Sequence, residues 1–209
     1  MEPGKPCDLY VVERCRNCPN VVIDLDRAEK IIREAFESAE FNRRQSARLQ
    51  RDRPLHHQVF KAAVAGCPNS CSQPQIKDFG VQGQLVPTAG GECSQCGACA
   101  AACPDKCIDL TEAGPEIDRS RCLNCGSCIK KCPTGAMQAL KCGYRVLAGG
   151  KLGRRPRLAT VELELASEKE LGATIRQLLE FYFREGRPGE RLGHLLERSG
   201  DKPQLMLID

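Results

Sequence analysis

At 209 residues the chain is long enough for one large domain or two small ones, and only 4% of it is aromatic, so hydrophobic burial needs a second source of cohesion. The 31 basic and 27 acidic residues leave a formal charge of +4, too mild a balance for a nucleic-acid surface, and no base-reading motif accompanies it. Nowhere do 18 apolar residues follow one another, which excludes a helical membrane span.

The start, MEPGKPCDLYVVERC, has no basic stretch leading into an apolar run, so a cytoplasmic location is expected. In that reducing compartment, 15 cysteines at short fixed spacings read as metal ligands rather than disulfides. The first pair, Cys15 and Cys18, forms C-x2-C and is followed by Pro19. Next comes DRAEKIIREAFESAEFNRRQSARLQR, which places Ala28, Ile31, Ile32, Ala35, Phe36, Ala39 and Leu49 near helical spacing. It predicts one amphipathic helix from Asp26 to Arg51, capped by Asp26 with Glu29 as capping-box partner, with a break near Asn42. HHQVFKAAVAG then predicts a short buried strand running into Cys67, and Cys67 and Cys71 form a C-x3-C pair. The two pairs together supply four ligands for one cluster, with zinc as the competing metal.

The middle of the chain repeats itself. Residues 93–108, CSQCGACAAACPDKCI, and 122–137, CLNCGSCIKKCPTGAM, both begin C-x2-C-x2-C-x3-C-P, the bacterial ferredoxin pattern for two 4Fe–4S clusters. Three cysteines two residues apart wrap one corner of a cubane, and Gly97 and Gly126 let the backbone turn closely. The fourth leads away, so that Cys93, Cys96, Cys99 and Cys132 hold one cluster while Cys122, Cys125, Cys128 and Cys103 hold the other. Cys107 reads as a small buried residue beside a cluster.

Downstream, GYRVLAGGKLGRRPRLA starts as a strand and ends in a glycine turn carrying Lys151, Arg154, Arg155 and Arg157, which reads either as an anion grip or as a solvated basic loop. SEKELGATIRQLLEFYFR predicts a second amphipathic helix ending at Gly186, and GERLGHLLERSG a shorter one, whose His194 reads as structural or surface. Cys7 and Cys142 are spare thiols.

The order of these pieces, with GCPNSC followed by QP, then YRVLAGGKLGRRPRLA and GERLGHLLERSG, resembles the C-terminal half of sirohaem-containing sulfite and nitrite reductases. In some anaerobic and dissimilatory members of that family a two-cluster ferredoxin domain is inserted at the corresponding place. The resemblance implies that Cys67 and Cys71 are the second pair of a four-cysteine cluster site, with Cys71 bridging the cluster to sirohaem iron, and that Cys18 is the second cysteine of the first pair. It also implies that Lys151, Arg154, Arg155 and Arg157 contact the carboxylate-rich macrocycle. The chain departs from the family's C-x5-C, because Val12 stands where that spacing puts the first cysteine. The family's other half, with its oxyanion-gripping cations, is expected to come from outside these 209 residues.

These readings predict an α+β fold: a sulfite/nitrite reductase-like half-domain, a mixed sheet packed with helices over residues 1–88 and 140–209, interrupted by a ferredoxin module with two 4Fe–4S clusters at 89–139. Two functions follow. One is an electron-transfer protein with a third cluster at Cys15, Cys18, Cys67 and Cys71, serving redox partner proteins. The other is a sirohaem-dependent sulfite or nitrite reductase, or a subunit of one, whose missing half comes from another chain or a second copy. An unusual cluster or a different tetrapyrrole at the altered cysteine geometry is a third reading.

Overall fold

The computed structural model describes residues 8–16, 18–49, 54–56 and 58–200. Cys7 and the end of the first expected helix, Gln50 and Arg51, lie outside the described residues. The framework is a five-stranded sheet in the order β1 (Tyr10–Arg14), β2 (Phe60–Ala65), β3 (Phe79–Ala89), β6 (Met137–Ala148), β7 (Thr160–Ala166). The first three strands are parallel to one another, and β6 runs antiparallel to both β3 and β7, so the sheet is mixed. Helices α1 (Leu25–Ser38) and α5 (Glu168–Glu185) pack against each other and contribute their apolar stripes to the core that covers the sheet. No helix among the described residues is long and apolar enough to cross a membrane.

The helix expected from Asp26 to Arg51 with a break near Asn42 forms as two helices. Asp24, not Asp26, caps α1 by accepting the Arg27 N–H at 3.0 Å. Glu29 is drawn instead to Arg14 and Arg33. The chain breaks at Glu40, whose φ of 49° ends α1 two residues before Asn42, and α2 (Phe41–Leu49) starts in a new direction. The break turns Phe41 inward, where its ring lies 4.8 Å from Phe36, 5.3 Å from Phe60 and 5.4 Å from Phe183. Few as they are, the aromatics therefore concentrate in one place. Each fully buried ring is worth roughly 1.5–3 kcal/mol of hydrophobic stabilisation.

Helix α5 follows its predicted bounds closely, because Ser167 and Glu170 form a complete capping box and Gly186 ends it. The strand into Cys67 is β2, and the shorter C-terminal helix is α6 (Leu192–Arg198). A buried ion pair ties the ends of the framework together. Asp78 is 2% exposed, accepts two bonds from Arg191 at 3.1 and 2.8 Å, and takes the Lys61 N–H at 3.0 Å. Burial pushes its carboxyl up, and the Arg191 guanidinium opposes that shift.

Strands β3 and β6 remain paired as far as Ala89 and Met137, and Gly90 donates to Ala136 O. Between them the chain leaves the sheet and forms α3 (Ala98–Ala101), a two-stranded hairpin of β4 (Ile108–Thr111) and β5 (Gly114–Ile117), and α4 (Ser127–Lys131).

Candidate metal centre

Parallel pairing explains how two distant cysteine pairs meet. Arg14 at the end of β1 is in register with Val64 at the end of β2, and Cys15 continues the ladder by donating its N–H to Val64 O at 3.2 Å. Cys15 and Cys18 thus leave one strand end beside Gly66, Cys67 and Cys71, which leave the next. All four cysteines line one recess of about 400 Å³, together with Arg14, Arg16 and Pro19. Among the described residues no three His, Cys, Asp or Glu side chains converge tightly enough for one metal ion, and the recess has room for a group of several atoms.

The thiols there already have donors aimed at them. The Gly66 N–H points to Cys15 Sγ at 3.2 Å and the Asn69 amide to Cys71 Sγ at 3.2 Å. Ser70 adopts a left-handed φ of 59°, and its hydroxyl, which donates to Pro68 O, accepts from Gln82 Nε2 at 2.6 Å. Burial pushes the Cys67 thiol up, and the neighbouring Cys18, Cys71 and Cys15 add to the shift. An anionic sulfur at that position needs compensating positive charge, which a metal group supplies.

The repeated units share one backbone. Gln95 and Asn124, each between the first two cysteines of its unit, both have φ 57°, and Gly97 and Gly126 have φ 75° and 70°. Each glycine then opens a short helix, α3 or α4. These left-handed steps curl the loops so that amides face the sulfurs, as where Gln95 N–H points to Cys93 Sγ at 3.4 Å. The N–H of Ala98 and the hydroxyl of Ser94 pull the Cys96 thiol down. The Met137 N–H, with help from Thr134, pulls Cys132 down to about 7. Cys128 goes the other way, to about 11, through burial.

Cys132 bears electrostatically on Cys96 and Cys99, whereas Cys103 and Cys122 both bear on Cys107. Cys107 is 3% exposed, its sulfur stands 3.4 Å from Cys103 Sγ, and burial pushes its thiol up to about 12. Cys142 lies apart on β6 and donates to Val22 O at 3.2 Å.

The basic loop is divided. Lys151 and Arg157 exchange backbone hydrogen bonds at 2.9 Å, closing a small hairpin with Gly153 at its tip. Lys151 is 2% exposed, and its ammonium is taken up by Arg155 O at 3.0 Å and Glu197 at 3.4 Å. Arg157 donates to Gly149 O and lies 4.0 Å from Glu197. Arg154 and Arg155 remain exposed at the turn. His194 sits in α6, exposed. Sequence reasoning missed Asn69, Ser70 and Gln82 as supports of the recess; the polar NS between Cys67 and Cys71 was the available signal.

A mixed sheet whose parallel strand ends carry two cysteine pairs defines a class of iron–sulfur scaffold. Residues 12–202 match the family described as the nitrite and sulphite reductase 4Fe-4S domain. The chain belongs to that family and is a sulfite reductase-like iron–sulfur protein. It is 34% identical over 187 residues to the coenzyme F420-dependent sulfite reductase of Methanocaldococcus jannaschii, covering 88% of this chain and 28% of that one, so it spans well under a third of that relative's length. Among solved structures, dissimilatory sulfite reductase I aligns with a TM-score of 0.58 at 20% identity, over 95% of this chain and 54% of that one. The Mycobacterium tuberculosis NirA protein aligns at 0.50 and 19%, over 90% of this chain and 25% of that one. These two likenesses establish the fold.

Proposed function

We propose that the chain is an electron-transfer protein with three 4Fe–4S sites: Cys93, Cys96, Cys99 and Cys132; Cys122, Cys125, Cys128 and Cys103; and Cys15, Cys18, Cys67 and Cys71. The observation that carries this reading is the recess at the ends of β1 and β2, where two cysteine pairs about fifty residues apart share one cavity wide enough for a multi-atom group. The matching backbone of the two repeated units, the electrostatic reach of Cys132 onto Cys99 and that of Cys122 onto Cys107 beside Cys103 support a ferredoxin-type module between β3 and β6. Bound there, such clusters supply single-electron transfer. The protein's part is to hold the thiolates, aim N–H donors at them and set the solvent exposure of each.

The partners are redox proteins that give and take single electrons, and a second chain or copy that completes the reductase-like half. A second reading is a subunit of a sirohaem-dependent sulfite or nitrite reductase, and it draws on the activity named for the methanogen relative. The fit to sirohaem is partial. Two of the four cations expected to grip its carboxylates, Lys151 and Arg157, already lie at Glu197, leaving Arg154 and Arg155 to reach outward.

The test is the absorption spectrum of protein purified without oxygen, with iron and labile sulfide counted on the same sample. About twelve irons per chain are expected, four at each four-cysteine site. About eight would remove the site at Cys15, Cys18, Cys67 and Cys71 from the reading. Sharp tetrapyrrole bands beside about twelve irons would favour the reductase subunit, and their absence the electron carrier. Gel filtration of the purified protein checks the partner proposal, which a monodisperse monomer would overturn for a second copy.

A further inference from the structure

The two repeated units are not equivalent with respect to the recess. The loop that carries Cys122, Cys125 and Cys128 is docked on β3: Leu85 N–H donates to Asn124 O at 2.7 Å, and Leu85 forms a bridge with Cys125. A Cβ on Gly126, whose φ is 70°, would stand 2.6 Å from the Leu85 side chain, so the turn packs closely on β3. Two residues back on the same face of β3, Gly83 lies so close to Gly66 that a Cβ there would meet Gly66 O at 2.5 Å. Gly66 is the residue between β2 and Cys67, and its N–H points to Cys15 Sγ. One strand therefore touches both sites at points about 7 Å apart along its length.

Lys130 closes the same junction from the other side. Its ammonium, at the end of α4, donates to Pro19 O at 3.0 Å and to Val21 O at 3.1 Å, across more than a hundred residues of sequence. Pro19 follows Cys18 directly, so the lysine fastens the second cysteine loop to the chain segment that walls the recess. The corresponding residue of the first unit is Ala101, which has no side chain to reach with. Gly97, the counterpart of Gly126, meets only Leu110 of its own hairpin, at 3.6 Å.

We propose that Lys130 is a positioning residue that ties the Cys122–Cys128 loop to the Cys18 segment, making the set Cys122, Cys125, Cys128 and Cys103 the inner relay to the recess and Cys93, Cys96, Cys99 and Cys132 the outer one. The inference rests on the three-site reading above. The exchange across the junction would be of one electron, lost by the iron–sulfur group held at one cysteine set and gained by the group held at the other, with no bond made or broken; dithionite serves as the reductant in the test.

The experiment uses the full chain with its iron in place, fully reduced, and reads the magnetic splitting between neighbouring clusters by electron paramagnetic resonance. Removing the outer set with Cys96→Ala is expected to preserve the splitting that involves the recess, and removing the inner set with Cys125→Ala to abolish it. The reverse pattern overturns the assignment. Lys130→Met is expected to keep the full iron count, weaken that splitting and slow internal electron transfer several-fold after flash reduction. Lys130→Arg, which can still donate to both carbonyls, is expected to restore both, and Lys131→Met to change neither. Unchanged splitting and rate in Lys130→Met would overturn the role of the lysine. If Lys130→Met fails to hold iron, the Lys130→Arg and Cys96→Ala proteins decide, since loss of splitting in either contradicts the proposal. Failure of the three-site reading is distinguishable, because it appears as about eight irons in the unsubstituted protein.

Discussion

The sheet body and the segment from 90 to 136 hold themselves together with different materials. Among the described residues the body buries a continuous apolar cluster of 26 residues, including Phe36, Phe41, Phe60, Phe79 and the facing Leu171, Ile175, Leu178 and Leu179 of α5. The cluster serving the segment has five buried members, Cys99, Cys107, Ile108, Cys128 and Met137, and three of them are cysteines. Forty-seven residues cannot recover their conformational entropy from so small a core, and the proposed ligation would supply the rest of the segment's order. Composition averaged over the whole chain hides this split, because nearly all the aromatics serve one region and most of the cysteines the other.

The largest expected effect breaks the comparison if it fails. Stripping iron anaerobically with a chelator is expected to abolish hydrogen-exchange protection across residues 93–132 while α1, α5 and the β2–β3 pair stay protected; equal loss everywhere would show one cooperative unit. Next, Phe41→Ala is expected to destabilise the body by about 3–5 kcal/mol in denaturant titration, because it empties the centre of the aromatic cluster. The iron count of the folded variant should be unchanged. Asp78→Asn removes the charge that Arg191 pairs with and is expected to cost about 2–3 kcal/mol, again with iron retained. The smallest effect sharpens the picture: Ser167→Ala deletes the capping box of α5 and should cost about 1 kcal/mol, read as a lowered urea midpoint with no change in the visible spectrum.

What the sequence made legible follows from how local each signal is. The cysteine spacings, the α5 capping box and the strand before Cys67 are each written within a dozen residues. The cap of α1 was misread because Asp26 and Glu29 imitate a capping box, while Asp24 caps alone. The break expected near Asn42 falls two residues earlier, at Glu40, where the demand that Phe41 reach the aromatic cluster sets it. Strand β7 could have been found, since TVELELA alternates in the way of a half-buried strand. The tie from Lys130 could not, because its acceptors are backbone carbonyls on a distant segment and carry no residue identity. The division of the basic loop was equally hidden: Glu197, which takes up two of its cations, sits forty residues downstream on α6.

The pairing of Ala89 with Met137, with Gly90 bonded to Ala136, means that everything from 91 to 135 emerges from the tip of an ordinary antiparallel hairpin. Growth at such a tip leaves the register below it untouched, so material can be spliced in or trimmed out there at little cost to the parent architecture. In this molecule the segment folds back along β3 far enough for Asn124 and Cys125 to reach Leu85. An elongation of that hairpin tip is thereby laid back against the strand whose Gly83 abuts Gly66 at the wall of the cysteine recess.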